Sequence, residues 1–260
     1  MGLTDVQRCR IENLLERMLE RKLKSYSRET TSMPFLVRLM QDSRSVAAYS
    51  FVHSLSTSLG MTVYEDVSVI LAEGSCSECF KRYDVGGVIS RDQEAVINDI
   101  LQELRSGRRT PHYDKDMSRV LAASAKGGRP KKDGAICDFY MVRDREEFLV
   151  EIKTVKPNID VFTKSKQKLL EWIARRRKRI RAILAFPYNP YHPNPYRRFT
   201  EQNLMDAGND FLVGEEYWDM LCGAGAYDQL LDVFDRVGKR WKERIQEKVA
   251  EVARAKLEGI

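Results

Sequence analysis

The chain has 260 residues, of which 43% are hydrophobic and 32% charged, a composition typical of a globular protein with a substantial core. It carries 44 Lys and Arg against 38 Asp and Glu, a net charge of +6 that suits a polyanionic partner. No apolar run approaches the roughly 18 residues of a membrane span, and the amphipathic N-terminal segment is unlike a signal peptide, so we expect a cytoplasmic protein.

The first sixty residues are predicted to be helical. Apolar residues recur at helical spacing over residues 4–24, and a second helix is predicted over residues 34–59, with Pro34 in its first turn after residues 31–32. β-Prone residues then favour a strand over residues 61–71, and residues 83–89 suggest a further short strand or loop.

The cysteines are scattered along the chain, at Cys9, Cys76, Cys79, Cys137 and Cys222. Cys76 and Cys79 form a CxxC pair, which is half of a zinc ribbon, but no second pair completes it. Reduced thiols in a loop are the simpler interpretation, and zinc binding or redox use is the alternative.

A clear amphipathic helix is predicted over Arg91–Arg105, with Gly107 as its stop. Glu94 lies near its start, on the same face as the apolar seam, where a solvated or capping glutamate is the common interpretation. Residues 106–133 are polar and irregular. They end in AKGGRPKKDG, a loop that can enter a DNA groove or merely be solvated, and whose candidate DNA contacts are Lys126, Arg129, Lys131 and Lys132.

Residues 134–153, GAICDFYMVRDREEFLVEIK, carry two β-prone segments around a charged turn and predict a β-hairpin. Asp138 lies inside the first strand, and Glu151 and Lys153 end the second strand on a shared face. Two carboxylates and a lysine suit Mg²⁺-dependent phosphodiester hydrolysis, because hard oxygen ligands hold the ion while the lysine serves the attacking water. A surface hairpin with scattered charges is the alternative.

A turn containing Lys156 follows, and then a helix over residues 161–179 and a strand over Arg181–Phe186. The predicted order of elements gives an α/β, or mixed α+β, core of αββαβ type, with a mixed central sheet flanked by helices. The helix predicted over residues 161–179 is dense in cations, which we interpret as phosphate neighbours: Lys164, Lys166, Lys168, Arg175, Arg176, Arg177, Lys178 and Arg179.

Residues 187–199, PYNPYHPNPYRRF, contain too much proline for a helix or a central strand and predict an ordered loop. This loop offers base-reading and phosphate-binding groups at Tyr188, Asn189, Arg197 and Arg198, and a purely structural loop held by tyrosine packing is the alternative. Two further helices are predicted over residues 227–237 and 239–257. We expect an N-terminal helical region (1–60), a core (61–200) and a C-terminal helical region (201–260) within one compact domain.

The hairpin motif resembles that of the PD-(D/E)XK nuclease superfamily, with Asp138, Glu151 and Lys153 at the positions of the acid, the acid and the lysine. Cys137 stands where the motif has proline, a position that varies in the superfamily. Other segments resemble type II restriction endonucleases of the TdeIII family: EIKTVKPNID at 151–160, LLEW at 169–172, AFPYNPYHPNPYRR at 185–198 and LVGEEYWDML at 212–221.

The resemblance implies a Mg²⁺-dependent enzyme, in which Mn²⁺ can substitute. It implies a homodimer that cuts double-stranded DNA at a short palindrome of the type GGNCC and leaves 5′-phosphate ends. Asp138, Glu151 and the carbonyl of Ile152 would hold the metal. Some superfamily members add an acid from the helix before the hairpin, a role that we assign to Glu94.

The family also implies a cognate DNA methyltransferase as a separate protein. Two other interpretations remain open from the residues alone. One is a DNA repair or junction-resolving nuclease with the same core, and the other is a non-catalytic, basic DNA-binding protein in which the charges of the hairpin are accidental.

Overall fold

A computed structural model describes residues 2–26, 33–153 and 156–257, without the side chains of residues 199–200 and 253–257. The chain divides into two units. The sheet unit consists of Met1–Gly2 and Glu65–Tyr227, and the helical unit consists of Leu3–Tyr64 and Asp228–Ile260. The boundary expected between residues 200 and 201 therefore falls inside the sheet unit, and the two ends of the chain supply the helical unit together.

Helices account for most of the described residues. In chain order they are α1 (Asp5–Ser25), α2 (Pro34–Met40), α3 (Ser43–Ser58), a π-helical turn (Leu59–Val63), α4 (Tyr64–Ala72), α5 (Arg91–Arg105), α6 (Tyr113–Ala122), α7 (Ile159–Arg176), α8 (Phe199–Gln202), α9 (Glu215–Cys222) and α10 (Ala226–Leu257). In the described part of the chain, no helix is both long enough and apolar enough to cross a membrane.

A five-stranded mixed sheet forms the centre of the sheet unit, and its spatial order follows the chain: β1 (Glu78–Asp84), β2 (Ile136–Arg143), β3 (Glu146–Ile152), β4 (Arg181–Phe186) and β5 (Phe211–Val213). The pairs β1–β2 and β2–β3 are antiparallel, whereas β3–β4 and β4–β5 are parallel. The order α5, β2, β3, α7, β4 confirms the predicted αββαβ core. The strand β5, which sequence patterns did not predict, extends the sheet beyond it.

Local chemistry explains why these core elements begin and end where they do. The two turn residues of the hairpin, Asp144 and Arg145, have φ values of +50° and +66°, as the mirror-image turns of tight hairpins require. Helix α5 starts at a capping box, in which the Ser90 hydroxyl accepts the Gln93 N–H and the Gln93 side chain accepts the Ser90 N–H. Helix α7 starts similarly, where the Asn158 side chain accepts the Val161 N–H.

The hydrophobic core of the sheet unit lies between the sheet and helices α5, α6 and α7. Buried residues from each layer meet there, including Leu101 of α5, Val120 of α6, Leu149 of β3 and Trp172 of α7. Helix α7 is held to the loop before β2, because the Trp172 indole N–H donates to the Gly134 carbonyl at 2.8 Å. The hairpin is therefore backed by a packed layer on one face, which fixes its position.

The predicted strand over residues 61–71 was wrong, since these residues form the π-helical turn and most of α4. Val63, Val67, Ile70 and Leu71 are all buried, and their spacing of i, i+4, i+7 and i+8 is that of a helix face. The β-branched composition suggested a strand, but burial of this helical stripe outweighs that local preference.

Three other segments differ from expectation. The helix over residues 34–59 is divided in two, because Gln41 adopts a left-handed conformation and the Asp42 side chain caps the start of α3. The irregular stretch 106–133 contains helix α6. The two C-terminal helices are one, α10, since buried Val233, Val237 and Trp241 continue the same stripe past Gly238. Residues 31–32 and 154–155, which were predicted to flank elements, lie outside the described residues.

Candidate active site

The two hairpin carboxylates meet where β2 and β3 stop pairing. The last paired residues at this end are Phe139 and Val150, so the next residues along each strand are Asp138 and Glu151. One Asp138 oxygen accepts the Ile152 backbone N–H at 2.7 Å, which ties the first carboxylate to the second strand. Glu151 is only 3% exposed. The backbone therefore holds the two acids next to each other where the paired strands β2 and β3 end.

Burial and mutual repulsion act on Asp138. Burial raises the pKa of its carboxyl group, and the neighbouring charge of Glu151 raises it further, while the N–H of Ile152 and the charges of Lys153 and Lys168 oppose both. A buried carboxylate beside another one is a site that a cation would stabilise. The residues present therefore fit a hard divalent metal ion such as Mg²⁺.

Two lysines approach Glu151 from different elements. The Lys153 ammonium lies 2.5 Å from one carboxylate oxygen, and the ammonium of Lys168, on α7, contacts the other. Burial lowers the pKa of Lys153, but the charge and hydrogen bond of Glu151 and the charge of Asp138 outweigh it, so this pKa is raised overall. Lys153 is therefore a cation in the folded protein, with 39% of its side chain open to solvent.

Sequence reasoning missed a third acid, Glu65, on α4. Its side chain is buried, and burial together with the charge of Asp138 raises the pKa of Glu65 to about 7. The next residue, Asp66, is paired with Lys81 at 2.5 Å instead. A pair of acids within an apolar segment was the available signal, but reading that segment as a strand hid which of the two faces the site.

Glu94, which was expected to supply an extra acid, has a different environment. Its carboxylate lies 3.9 Å from Lys131, and that lysine is bound more closely to Glu171, at 2.7 Å. None of its contacts in the described part of the chain joins Glu94 to Asp138 or Glu151. The acid that the structure brings within electrostatic range of Asp138 is Glu65 of α4, and the role assigned to Glu94 stays a prediction.

Metal ligation by side chains alone is limited at this site. Across residues 2–26, 33–153 and 156–257, no three or more His, Cys, Asp or Glu side chains are arranged so that they could hold a metal ion together. Ile152, whose carbonyl was the remaining predicted ligand, ends β3 opposite Ala185 of β4. None of the five cysteines, including the pair Cys76 and Cys79, forms a disulfide with another described residue.

Several predicted DNA contacts are exposed and bear side chains without an ion pair to any described residue. Lys126, Arg129 and Lys132 belong to the loop before β2, which Arg175 anchors to α7 by donating to the carbonyls of Lys131 and Asp133. The others lie in the turn after β3, on α7 and in the proline-rich loop, and the exposed candidates are Lys126, Arg129, Lys132, Lys156, Lys164, Tyr188 and Arg197.

Other predicted contacts are occupied within the chain. Asn189 shapes the proline-rich loop, since its amide donates to the Asn194 carbonyl at 2.8 Å. Arg198 donates to the Pro157 carbonyl at 3.0 Å, and the Lys156 ammonium lies 4.9 Å from the centre of the Tyr191 ring. These contacts fasten the loop to the turn that follows β3, so the loop lies beside the end of the strand that carries Glu151.

The interpretation of the cations on and just after α7 as phosphate neighbours is corrected. Lys166 is completely buried and pairs with Asp210 and Asp116, so it cannot contact DNA in this fold. Arg175 is buried as well, Arg176 and Lys178 pair with Glu147 of β3, and Arg179 pairs with Asp114. Most cations of this charge-dense segment therefore bind partners within the protein itself.

Comparison with known proteins places the chain among restriction enzymes. Residues 4–238 match the family model described as "Type II restriction endonuclease, HinfI". The type II restriction enzyme MjaII of Methanocaldococcus jannaschii is 29% identical over 205 residues, covering 72% of this chain and 54% of that enzyme, so the chain spans about half of its length. Type II restriction enzymes HgiEI and HgiBI of Herpetosiphon aurantiacus are each 25% identical, over 87% and 76% of this chain and 85% and 75% of their own.

Proposed function

Because the chain belongs to the HinfI family of type II restriction endonucleases, we propose that it cuts double-stranded DNA at a specific short sequence in a Mg²⁺-dependent reaction. The prediction of a type II restriction endonuclease is confirmed by this membership, although the matching family is HinfI, whereas the resemblance named from the sequence was TdeIII. The observation that carries the proposal is the placement of Asp138 beside Glu151, with Lys153 on the latter.

In the proposed site, Asp138, Glu151 and the Ile152 carbonyl would hold Mg²⁺, with Glu65 close enough for the charge of Asp138 to raise its pKa. A bound Mg²⁺, which Mn²⁺ can replace, would lower the pKa of a water molecule and offset charge on the phosphate. Water attack on phosphorus, with cleavage of the bond to the 3′ oxygen, would leave 5′-phosphate and 3′-hydroxyl ends.

Lys153 would be the side chain that assists the attacking water directly. Its ammonium, fixed against Glu151 yet partly open to solvent, can orient the attacking water and neutralise charge that develops on the scissile phosphate. Its backbone N–H donates to the Ala185 carbonyl at 3.0 Å, so the main chain of β3 and β4 sets its position. This arrangement keeps the cation in place before the substrate binds.

DNA would be held by the exposed cations around the site. Lys126, Arg129 and Lys132 before β2, Lys164 on α7 and Arg197 in the proline-rich loop are free to bind phosphate, while Tyr188 can reach a base. We propose a palindrome of the GGNCC type as the substrate, on the family resemblance of the sequence. A separate methyltransferase would protect the host DNA.

We propose a homodimer, because a two-fold DNA site calls for two copies of one chain. Exposed apolar side chains in the helical unit support this proposal, since Phe35 and Leu39 of α2 are 89% and 82% exposed. Equilibrium sedimentation of the wild type and of the double variant Phe35→Ser/Leu39→Ser tests it. The wild type should sediment as a dimer and the variant as a monomer; a monomeric wild type at micromolar concentration would contradict the proposal.

The central experiment incubates the purified protein with long unmethylated DNA in Mg²⁺, in Ca²⁺ or in EDTA. Discrete fragments should form only with Mg²⁺, and the sequence of their ends gives the site and the stagger. Lys153→Ala should cut about 10²–10³-fold more slowly. Lys242→Ala, an exposed lysine on α10, should cut at the wild-type rate. Binding with intact DNA in every lane would indicate a DNA-binding protein, and cutting at branched junctions alone would indicate a junction-resolving nuclease.

A further inference from the structure

Arg82 lies on the edge strand β1, close to the proposed site. The neighbours of Arg82 pair with β2 in one antiparallel register, Lys81 with Phe139 and Tyr83 with Cys137, and the ladder is interrupted at Arg82 itself. This register places Arg82 across from Asp138. The backbone of an arginine on a strand outside the αββαβ core therefore lies opposite the backbone of Asp138, which bears the first of the two hairpin carboxylates.

The backbone at Arg82 is unusual for a strand. Its φ is +51°, a left-handed conformation that a residue with a Cβ rarely adopts and that persists only where the surroundings impose it. Stacked rings on either side supply such surroundings: Tyr83 and Tyr140 are 4.0 Å apart, and Phe80 stacks on both at 6.2 Å. Strain of this kind concentrates at functional sites.

The charge of Arg82 is not consumed inside the protein. Lys81, the preceding cation, is paired with Asp66 at 2.5 Å, whereas Arg82 is exposed and forms no ion pair or hydrogen bond through its side chain with the residues that the structure describes. Its charge nevertheless reaches the site, because it opposes the influence of Asp138 on the pKa of Glu65. Arg82 is thus an accessible cation within electrostatic range of the acids.

We infer that Arg82 binds a phosphate group of the DNA strand held at the Asp138–Glu151 pair. This inference rests on the proposed function. A guanidinium presents a planar fork of donors that matches two phosphate oxygens, so it both holds the strand and offsets repulsion between the phosphate and the buried acids. Lys153 and Lys168 already contact Glu151, and Arg82 adds positive charge from the opposite side of the hairpin strand β2.

The test compares Arg82→Gln with a matched control, Arg145→Gln. Arg145 is also an exposed arginine with a positive φ, +66°, but it lies in the hairpin turn at the other end of β2. Each variant loses one positive charge and undergoes the same shortening of its side chain at a residue with positive φ, so both impose the same demand on the backbone. Arg82→Lys keeps the charge without the fork, and thermal unfolding of all four proteins checks that each is folded.

Two measurements use a duplex that carries the site read from the fragment ends: binding in Ca²⁺ over a range of salt concentrations, and single-turnover cleavage in Mg²⁺. Arg82→Gln should reduce the slope of log K against log salt by about 0.9, the contribution of one phosphate contact, and should slow cleavage at least about tenfold. Arg82→Lys should restore the slope and part of the rate, and Arg145→Gln should match the wild type.

Two outcomes overturn the inference and can be told apart. A wild type that cuts DNA, with Arg82→Gln indistinguishable from Arg145→Gln in slope and rate, would reject the role of Arg82 and leave the proposed function standing. A folded wild type that cuts no DNA with Mg²⁺ would reject both, since no strand would be held for cleavage at the Asp138–Glu151 pair.

Discussion

Two lysines on one helix, Lys166 and Lys168 of α7, illustrate opposite uses of charge. Lys166 lies 3.2 Å from Asp116 and contacts Asp210, and all three side chains are only 1% exposed. Lys168 contacts Glu151 at the proposed active site and keeps 22% of its side chain open to solvent. The same residue type, two positions apart, thus belongs to a closed network in one case and to an open site in the other.

The difference between them is whether the charges balance within the protein. The closed network also includes Arg109, which lies 2.7 Å from Asp116. Two cations, Lys166 and Arg109, therefore face the two acids, so each buried charge has an opposite partner. In the open site, the pKa values of Glu65 and Asp138 are both raised, first by burial and then by neighbouring acids. That residual acid–acid repulsion leaves room for an external cation and is typical of functional sites.

The largest effect should come from breaking the closed network. Lys166→Met should destabilise the fold by about 3–5 kcal/mol, because it leaves Asp116 and Asp210 buried without their shared cation. Urea unfolding measures this change. Lys164→Met, an exposed residue one turn away from Lys168 on the same helix, is the stability control and should shift the midpoint little. An unfolding midpoint for Lys166→Met equal to that of the control would show that the network is not structural.

Disrupting the open site should lower cleavage without lowering the stability of the fold. Asp138→Asn removes a charge that burial and Glu151 disfavour, so stability should be unchanged or higher, while cleavage should fall at least about 10²-fold as a metal ligand is lost. Thermal unfolding and single-turnover cleavage report the two quantities separately. Asp144→Asn, in the exposed hairpin turn, removes the same charge and should retain wild-type cleavage. Equal cleavage by both variants would refute the role of Asp138.

A smaller effect is expected at Lys168, the lysine of α7 that contacts Glu151 at the proposed active site. Lys168→Met leaves Lys153 on Glu151 but frees the other carboxylate oxygen, so the expected ligand is less firmly oriented. Cleavage should fall about 10–100-fold, as is usual when a residue that orients a metal ligand is lost. Lys168→Arg should recover part of the rate at the same Mg²⁺ concentration. A rate for Lys168→Met within twofold of the wild type would place Lys168 outside the working site.

Sequence patterns predicted the central part of the fold well, because its signals are local. The hairpin has alternating apolar residues and a charged turn, and α5 has an apolar seam and a glycine stop, so their bounds follow from single segments. The pair Asp138 and Glu151 followed in turn, since antiparallel pairing fixes which residues face each other. Strand β5 is three residues long, and its pairing with β4 depends on distant parts of the chain that no local pattern reveals.

The same reasoning could not separate structural from functional charges. Along α7 the cations occur at many positions, and the sequence alone does not show that Asp116 and Asp210, 50 residues before and 44 residues after Lys166, converge on it. Glu65 was hidden for a related reason, since its proximity to Asp138 depends on how α4 packs. Such contacts are set by tertiary structure, whereas periodicity reports only which face of an element is apolar.

The smallest effect is expected at the exposed edge of the closed network, where Glu103 binds Arg119 and Arg109. Hydrogen bonds from Arg119 and then Arg109 lower the pKa of Glu103 from 4.5 to about 2, and Arg109 continues to Asp116. The folded state therefore binds the proton less tightly than the unfolded chain does, so this stabilisation is complete above pH 4.5 and is lost as the pH falls towards 2. Glu103→Gln should cost about 0.2–1 kcal/mol at pH 7, because solvent screens an ion pair near the surface.

Urea unfolding of Glu103→Gln and the wild type at pH 7 and at pH 3 checks both the size and the direction of this contribution. The difference between the two proteins should be smaller at pH 3, while Glu247→Gln, an exposed residue on α10, should show no such dependence. A loss at pH 7 as large as that of Lys166→Met would mean that the network extends to the surface as one unit. A small loss would show that the closed network stabilises the fold mainly through the fully buried contacts of Lys166. Such fully buried ion pairs distinguish this network from the open site around Lys168.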